Sequence, residues 1–244
     1  MVAINNKQNI TFTALKFNNV KGMNIPEKFH TKLTFNDMPV DCFVSTKIED
    51  TDFFTRVSDV KDNELGVGRY LKLDDELFNM SVNNFSDIKG VGSLLHLNQI
   101  ITMVENNIPK IKLFALGSAI QFHSKFKFKS DFDKAAEIKD FIVKELFLNS
   151  EHRRAEELNN VRNMAKKWFA AINEGQSADI QLGNEILNEY IKVVDDKKLY
   201  LTDKYNPIQG MEMVLTRQSV NKNKDFFNKM FKKFGIDYQI DKGV

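Results

Sequence analysis

The stretch LFNMSVNNFSDIKGVGS, residues 77–93, decides the fold that is predicted for this chain. Residues 77–82 read as a strand, Gly90-Val91-Gly92 as a turn, and residues 93–106 as a helix, because apolar residues recur there at helical spacing. A strand that leads through a glycine turn into a helix points successive backbone N–H groups, and the partial positive charge of the helix start, at one place. The stretch is therefore a candidate site for a phosphate-bearing anion.

The neighbouring residues continue the alternation of strand and helix. Residues 111–116, IKLFAL, predict a strand, and residues 118–126 predict a second helix. Upstream, residues 68–73 are separated from residues 77–82 by an acidic turn, which is the pattern of a hairpin, and Gly66-Val67-Gly68 is expected to shape another turn. The order hairpin, glycine turn, helix, strand, helix predicts an α/β fold, of the α+β kind, with helices packed on a mixed sheet.

The rest of the chain changes character near residue 130. Strands are predicted at residues 10–17, 33–35 and 40–46, and later at 211–215 and 236–240. Helices are predicted at residues 132–147, 155–172, 186–194 and 226–234. These patterns divide the chain into residues 1–130 and a mainly helical C-terminal region, residues 131–244.

The composition is that of a folded protein and excludes several classes of function. The 35 basic and 33 acidic residues leave a net charge of +2, which disfavours a nucleic acid as partner. Cys42 is the one cysteine, so disulfides are excluded, and its strand-like surroundings favour packing over nucleophilic chemistry. The sequence shows neither a signal-peptide pattern nor an apolar run of the ~20 residues that a membrane span needs, so we expect a cytoplasmic protein without a membrane partner.

Four residues match the spacing of a known family. Gly90 and Gly92 fit a loop of the form Gln/Arg-x-x-Gly-x-Gly/Ala, and Ala119 and Phe128 fit the ends of the pattern Ala-x-x-x-Tyr-x-x-x-Gly-Phe. With these motifs, residues 65–128 resemble the acyl-CoA-binding half of the GNAT superfamily of N-acyltransferases. The resemblance implies an acetyltransferase, or another acyltransferase, that moves its group from acetyl-CoA or another acyl-CoA to an amine acceptor, either a small molecule or a protein.

The resemblance also implies which residues bind the cofactor. The backbone of residues 80–82 pairs with the pantetheine arm, and the amides of residues 89–93 surround the pyrophosphate. The chain departs from the family pattern at Asp87, which stands in the Gln/Arg position, and the flexible ammonium of Lys89 can compensate for its charge. The implied cofactor-binding residues are Met80, Ser81, Val82, Lys89, Gly90, Val91, Gly92 and Ser93.

Two side chains are candidates for the catalytic steps. His123 stands where the family places a tyrosine that protonates the leaving thiolate, and histidine titrates near neutrality. Glu76, at the start of the strand that leads into the loop, is the candidate base, acting through water. Each has a structural alternative: His123 as a surface histidine on a packed helix, and Glu76 as a turn carboxylate. No histidine has a partner at metal-ligand spacing, so no metal is expected.

Two alternatives stay open. The first is a non-catalytic interaction protein, in which a GNAT-like core carries a helical partner-binding module; Asp87 and the missing tyrosine at His123 favour it, whereas the spacing from Ala119 to Phe128 favours the enzyme. The second concerns residues 180–240, whose order of helix, strand and helix suggests a degenerate second GNAT-like unit.

Overall fold

The computed structural model describes residues 15–173, 179–197, 199 and 210–241. Eight of its strands hydrogen-bond in the order β3-β4-β5-β6-β7-β8-β10-β9, and β1 pairs separately with β2. The sheet is mixed, because β7 and β8 run parallel whereas β8 and β10 run antiparallel. The strands are β1 (Phe17–Val20), β2 (Met23–Pro26), β3 (Phe29–Phe35), β4 (Met38–Glu49), β5 (Asp52–Asp59), β6 (Glu64–Lys72), β7 (Glu76–Asn84), β8 (Lys110–Leu116), β9 (Lys129–Ser130) and β10 (Gly210–Thr216).

Helices follow the strands and dominate the region after residue 130. They are α1 (Val91–Glu105), α2 (Gly117–Lys125), α3 (Ala135–Ile142), which continues as a π-helix (Val143–Leu148), α4 (Ser150–Arg154), a 3₁₀ turn (Glu156–Leu158), α5 (Asn159–Asn173), α6 (Ile180–Asp196), α7 (Arg217–Lys222) and α8 (Lys224–Lys233). In the described parts of the chain, no helix combines the length and the apolar character that a membrane crossing requires. The predicted fold class, a mixed sheet with packed helices and a mainly helical C-terminal region, is confirmed.

The chain divides into two compact units, each assembled from non-contiguous segments. Unit 1 takes the described residues up to Leu73, Ser81–Ile108, and those from Val220 onward; unit 2 takes Asp74–Met80 and the described part of Pro109–Ser219. A single boundary near residue 130 does not describe this division. The reason is that the last helix and its tail join the N-terminal strands, a long-range association that no local pattern in the sequence reports.

Unit 1 is built around the hairpin of β3 and β4 and the buried helix α1. Asn36 and Asp37 both have positive φ, 48° and 63°, which matches the two-residue turn that connects antiparallel strands with their natural twist. Helix α1 packs on β4, β5 and β6, and nearly all of its side chains are buried. Cys42 is fully buried on β4, where burial raises the pKa of its thiol to about 11, so it packs and does not act as a thiolate nucleophile at neutral pH.

Unit 2 combines strands β8 and β10 with helices α2, α3, α5 and α6. Alternate residues of both strands are buried, and α2 packs on that side of the strands. Helices α5 and α6 meet closely at Gly183, where an added Cβ would lie 2.8 Å from Cζ2 of Trp168. The indole of Trp168 therefore uses the space that a side chain on α6 would occupy, and its Nε1–H donates to the carbonyl of Asp179 at 2.8 Å.

The segment that follows α8 differs from what the sequence predicts. Residues 236–240 do not form a strand, because the N–H and carbonyl of Ile240 bond to the side chain of Asn228, at 2.8 and 3.2 Å, instead of to a neighbouring strand. Strand β10, which falls within the possible second GNAT-like unit at residues 180–240, pairs with β8 along its whole length and so belongs to the first sheet. The strand expected at residues 10–17 lies mostly outside the described residues.

Candidate active site

The glycine turn before α1 is held from several sides within unit 1. Gly90 has a φ of 102°, in the left-handed region that glycine adopts readily and other residues do not. A Cβ on Gly90 would lie 2.9 Å from Cε1 of Phe234 and 3.0 Å from Cδ2 of Leu33, so no side chain fits. Lys89 forms an isolated antiparallel bridge with Thr34 of β3. The glycine that the sequence assigns to a phosphate loop is thus also required by the packing of the turn.

The start of α1 exposes backbone amides in the way that a helix N-terminus does. The first intrahelical bond runs from the N–H of Leu94 to the carbonyl of Gly90, at 2.9 Å. The amides of Val91, Gly92 and Ser93 therefore have no acceptor inside the helix. Among the side chains that the structure describes, none caps this end. Val91, Gly92 and Ser93 are the part of the predicted pyrophosphate cradle that the helix start itself provides.

Gly66 positions the first residue of α1, a role that the sequence did not reveal. Gly66 and Gly68 lie inside strand β6, not in the turn that was expected. A Cβ on Gly66 would lie 2.5 Å from Cγ1 of Val91 and 2.6 Å from the carbonyl oxygen of Asn83. The missing side chain lets the helix start approach the strand closely. The Gly-x-Gly spacing was visible in the sequence, but only the packing shows what it accommodates.

Strand β7 changes its pairing along its length. Its parallel register with β8 runs from Glu76, opposite Lys110, to Asn79, opposite Leu113. The predicted pantetheine-binding residues, Met80–Val82, follow this paired segment, and the side chain of Met80 is 47% exposed. The pairing of β7 with β8 ends at Asn79, so the backbone of Met80–Val82 is not hydrogen-bonded to β8 in this register. Its N–H and carbonyl groups on that side are suited to pair with an extended ligand.

Glu76, the candidate base, lies at the first position of β7 in unit 2. Its carboxylate is 3.3 Å from Nζ of Lys110, and the same ammonium is 3.3 Å from the carboxylate of Asp75. Hydrogen bonding to Asp75 raises the pKa of Lys110, with Glu76 adding to the effect, so this lysine stays charged at neutral pH. The structure therefore places Glu76 in an ion pair beside Asp75, and its role as a base stays a prediction.

His123, the candidate acid, lies on α2 in unit 2 and is only 7% exposed. Its ring makes edge contacts with Phe122, at 5.3 Å between centroids, and with Phe128, at 5.9 Å. Its carbonyl accepts from the amides of Phe126 and Phe128 at the end of the helix. The alternative of an exposed surface histidine does not hold, because the ring packs among aromatic side chains; its catalytic role stays a prediction.

Unit 1 also contains a buried polar cluster that the sequence did not indicate. The Nδ2 of Asn98 on α1 donates to the hydroxyls of Thr46 and Thr55, at 2.9 and 3.0 Å. The hydroxyl of Tyr70 lies beside the same threonines and Thr102, and burial raises its pKa. These groups fix α1 against the sheet, and all of them except Thr46 are buried.

Comparisons with known proteins give matches at the level of structure alone. No protein-family model matches the chain, and no curated protein sequence matches it. Parts of the chain are similar to an acetyltransferase of the GNAT family from Staphylococcus aureus Mu50, with 21% identity, a TM-score of 0.31, and coverage of 34% of this chain and 56% of that chain. They are also similar to the PaiA N-acetyltransferase from Thermoplasma acidophilum in complex with coenzyme A, with 14% identity, a TM-score of 0.30, and coverage of 35% and 56%.

A third structure is matched over more of the chain. Rv2747 from Mycobacterium tuberculosis, in complex with CoA, has 13% identity and a TM-score of 0.32, over 67% of this chain and 75% of that one. For the first two structures, by contrast, the match spans little more than half of their length. TM-scores of 0.30 to 0.32 are too low to support a functional inference, so the function has to be inferred from this chain's own residues.

Proposed function

We propose that the chain binds an acyl-CoA through the segment from β7 to α1 and transfers the acyl group to an amine. The observation that supports this most directly is the start of α1, where three consecutive amides, Val91–Ser93, follow a left-handed glycine and have neither an intrahelical acceptor nor a described side-chain cap. Amides in this arrangement bind phosphate groups, and the helix dipole adds to the attraction. The resemblance of residues 65–128 to the GNAT superfamily supports the choice of the CoA diphosphate as this phosphate group.

The strand before the loop supplies the second contact with the cofactor. The backbone of Met80–Val82 offers N–H and carbonyl groups that can pair with the two amides of pantetheine, as an added strand would. Lys89 brings one positive charge to the loop and offsets the negative charge of Asp87. Binding through backbone groups explains why this segment needs glycines more than particular side chains.

The proposed reaction forms one bond and breaks one. The acceptor nitrogen, after losing its ammonium proton, bonds to the acyl carbon, and the C–S bond breaks with its electron pair going to the CoA sulfur. Glu76 takes the ammonium proton through water, and His123 gives a proton to the thiolate. The second proton, which the attacking nitrogen sheds as the C–S bond breaks, replaces the one that His123 has given, so the net proton released is the one on Glu76. The products are an amide and the free thiol of CoA.

The packing of His123 favours a second candidate function. A histidine held between Phe122 and Phe128 can be structural, and a chain that binds CoA without turnover would then act as an interaction protein. The two functions differ in one measurement, the release of CoA thiol from acetyl-CoA in the presence of amines. Release that falls in His123→Phe, while acetyl-CoA binding persists, supports the enzyme.

The proposal for the cofactor is tested most sharply at Ser93. An aspartate at this position in the first turn suits the helix dipole, so Ser93→Asp should fold at least as well as the wild type. Its charge repels a diphosphate, so we expect the thermal stabilisation by acetyl-CoA to disappear. Ser93→Ala is the matched control and should keep it. Equal stabilisation of all three proteins by acetyl-CoA would exclude the α1 N-terminus as its binding site.

A further inference from the structure

We propose that the acceptor is an aliphatic amine with a second positive charge, which binds along one face of strands β7, β8 and β10 in unit 2. This inference rests on the proposed acyl transfer and specifies its acceptor. We call this surface the acceptor face. It consists of Phe78, Lys112, Phe114, Leu116, Glu212 and Val214.

Strand alternation and register place these side chains on the same side of the sheet. Phe78 of β7 pairs in register with Lys112 of β8, which lies opposite Val214 of β10. Two residues further along β8, Phe114 lies opposite Glu212. The intervening residues of β8 and β10 point to the other side and are buried where α2 packs. The two sides of these strands therefore differ sharply: one belongs to the core and the other is accessible.

The acceptor face exposes two large apolar side chains that are only half covered by the described part of the fold. Phe114 is 51% exposed and Leu116 is 52% exposed, on the same strand and the same side. Gly210 lies opposite Leu116, and a Cβ on Gly210 would overlap the ring of Phe114. The ring of Phe114 therefore packs over Gly210 of β10 and stays at the surface. A hydrocarbon chain that covers these side chains removes apolar area from water, which favours binding.

The charge at one end of the acceptor face complements a cation. Burial and the carboxylates of Asp133 and Glu137 raise the pKa of Glu212, while Lys112 opposes the shift. Lys112 is itself paired with Asp131 at 3.1 Å. Lys134 pairs with Glu137 at 3.0 Å. The four carboxylates of this cluster thus face two ammonium groups, and a further positive group at Glu212 reduces the remaining repulsion, whereas a neutral or acidic group does not.

The position of Glu76 sets the length of the acceptor. Glu76 lies on the same side of β7 as Phe78, in register with Lys110, and the row of Glu212 is four residues further along β8. Four residues of a strand span about 13 Å. With the reacting nitrogen near Glu76 and the second nitrogen near Glu212, the chain between them crosses Phe78 and Phe114. This length fits an extended diamine of roughly ten carbons.

Calorimetric titration with CoA bound tests the assignment without relying on turnover. Diaminodecane should bind about fivefold more tightly than decylamine, the difference that one partly exposed ion pair provides. Glu212→Gln should abolish this preference and leave decylamine binding unchanged. Phe114→Ala should weaken both amines, because both lose the contact with the ring. Leu148→Ala removes another exposed apolar side chain, 69% exposed on the π-helix, and should change neither amine.

The outcomes separate the two proposals. If acetyl-CoA stabilises the protein but the diamine gains nothing over the monoamine, or Glu212→Gln retains the preference, the acceptor face is overturned and the acyl transfer stands. If acetyl-CoA binding itself is absent, the proposed function fails and the acceptor assignment fails with it. Because Gln keeps the shape of Glu and Phe114 is half exposed, both variants should fold, which circular dichroism can verify.

Discussion

Single residues in this protein often serve packing and the candidate site together, and Gly90 shows how the two can be separated. Gly22 and Gly90 both have positive φ, 79° and 102°. An added Cβ on Gly22 meets nothing within 4 Å, whereas one on Gly90 meets Phe234 and Leu33. The pair therefore distinguishes the cost of backbone strain from the cost of overpacking.

Gly90→Ala should lower the free energy of unfolding by about 2 to 4 kcal/mol, because left-handed strain and a steric overlap add together. Gly22→Ala should cost only about 1 kcal/mol, since strain alone acts there. Denaturant unfolding measures both. Equal losses in the two variants would show that Phe234 and Leu33 move aside without cost.

His96 gives a prediction for pH. It is fully buried on α1, and burial lowers its pKa to about 4 from an unfolded value of 6.5, with a hydrogen bond to Gln99 acting against the shift. Between these two values the unfolded chain binds the proton and the folded chain does not, so stability falls as pH falls from 6.5 toward 4. Lowering the pH from about 7 to about 5 should therefore reduce the free energy of unfolding by about 2 kcal/mol because of His96.

His96→Gln isolates that contribution from the carboxylates. The variant should lose less stability than the wild type over the same pH interval, as measured by denaturant unfolding at each pH. If the free energy of unfolding falls equally in the variant and the wild type, His96 does not titrate differently in the folded and unfolded chains.

At the scale of elements, side-chain hydrogen bonds join helices to strand ends that lie far away in the sequence. Asn184 on α6 accepts from the hydroxyl of Ser130 at 2.6 Å and from the amide of Phe132 at 3.0 Å, and it donates to the carbonyl of Phe132 at 2.8 Å. These bonds satisfy the backbone where β9 ends and the chain turns toward α3. In the sequence, Asn184 precedes the helix predicted at residues 186–194, and no local pattern indicates these bonds.

Asn184→Ala should cost about 2 to 3 kcal/mol, because it leaves the amide and carbonyl of the buried Phe132 without this partner. Asn163→Ala, at an exposed position of α5, is the control and should change stability by no more than about 0.5 kcal/mol. Thermal and denaturant unfolding report both. A loss at Asn184 no larger than that at Asn163 would mean that water replaces these bonds freely.

At the scale of the whole molecule, we expect binding of the cofactor to raise the free energy of unfolding. Acetyl-CoA at about one hundred times its Kd should raise the free energy of unfolding by about 2.7 kcal/mol, if it binds the folded chain only. The stabilisation should weaken as salt rises, since the phosphates bind through electrostatic attraction. Differential scanning fluorimetry at two ionic strengths measures it. A melting temperature that acetyl-CoA leaves unchanged at every salt concentration contradicts the proposed cofactor.

Local patterns in the sequence determined the order strand, glycine turn, helix, strand, helix over residues 77–126, because the periods of strands and helices and the conformational freedom of glycine are properties of neighbouring residues. They did not indicate β2 or β5. Tertiary structure alone decided that β10 lies between β8 and β9, that Phe234 packs on Gly90, and that Glu76 pairs with Lys110. Such contacts join residues far apart in the chain, so they depend on how the elements pack, and no local period encodes that packing.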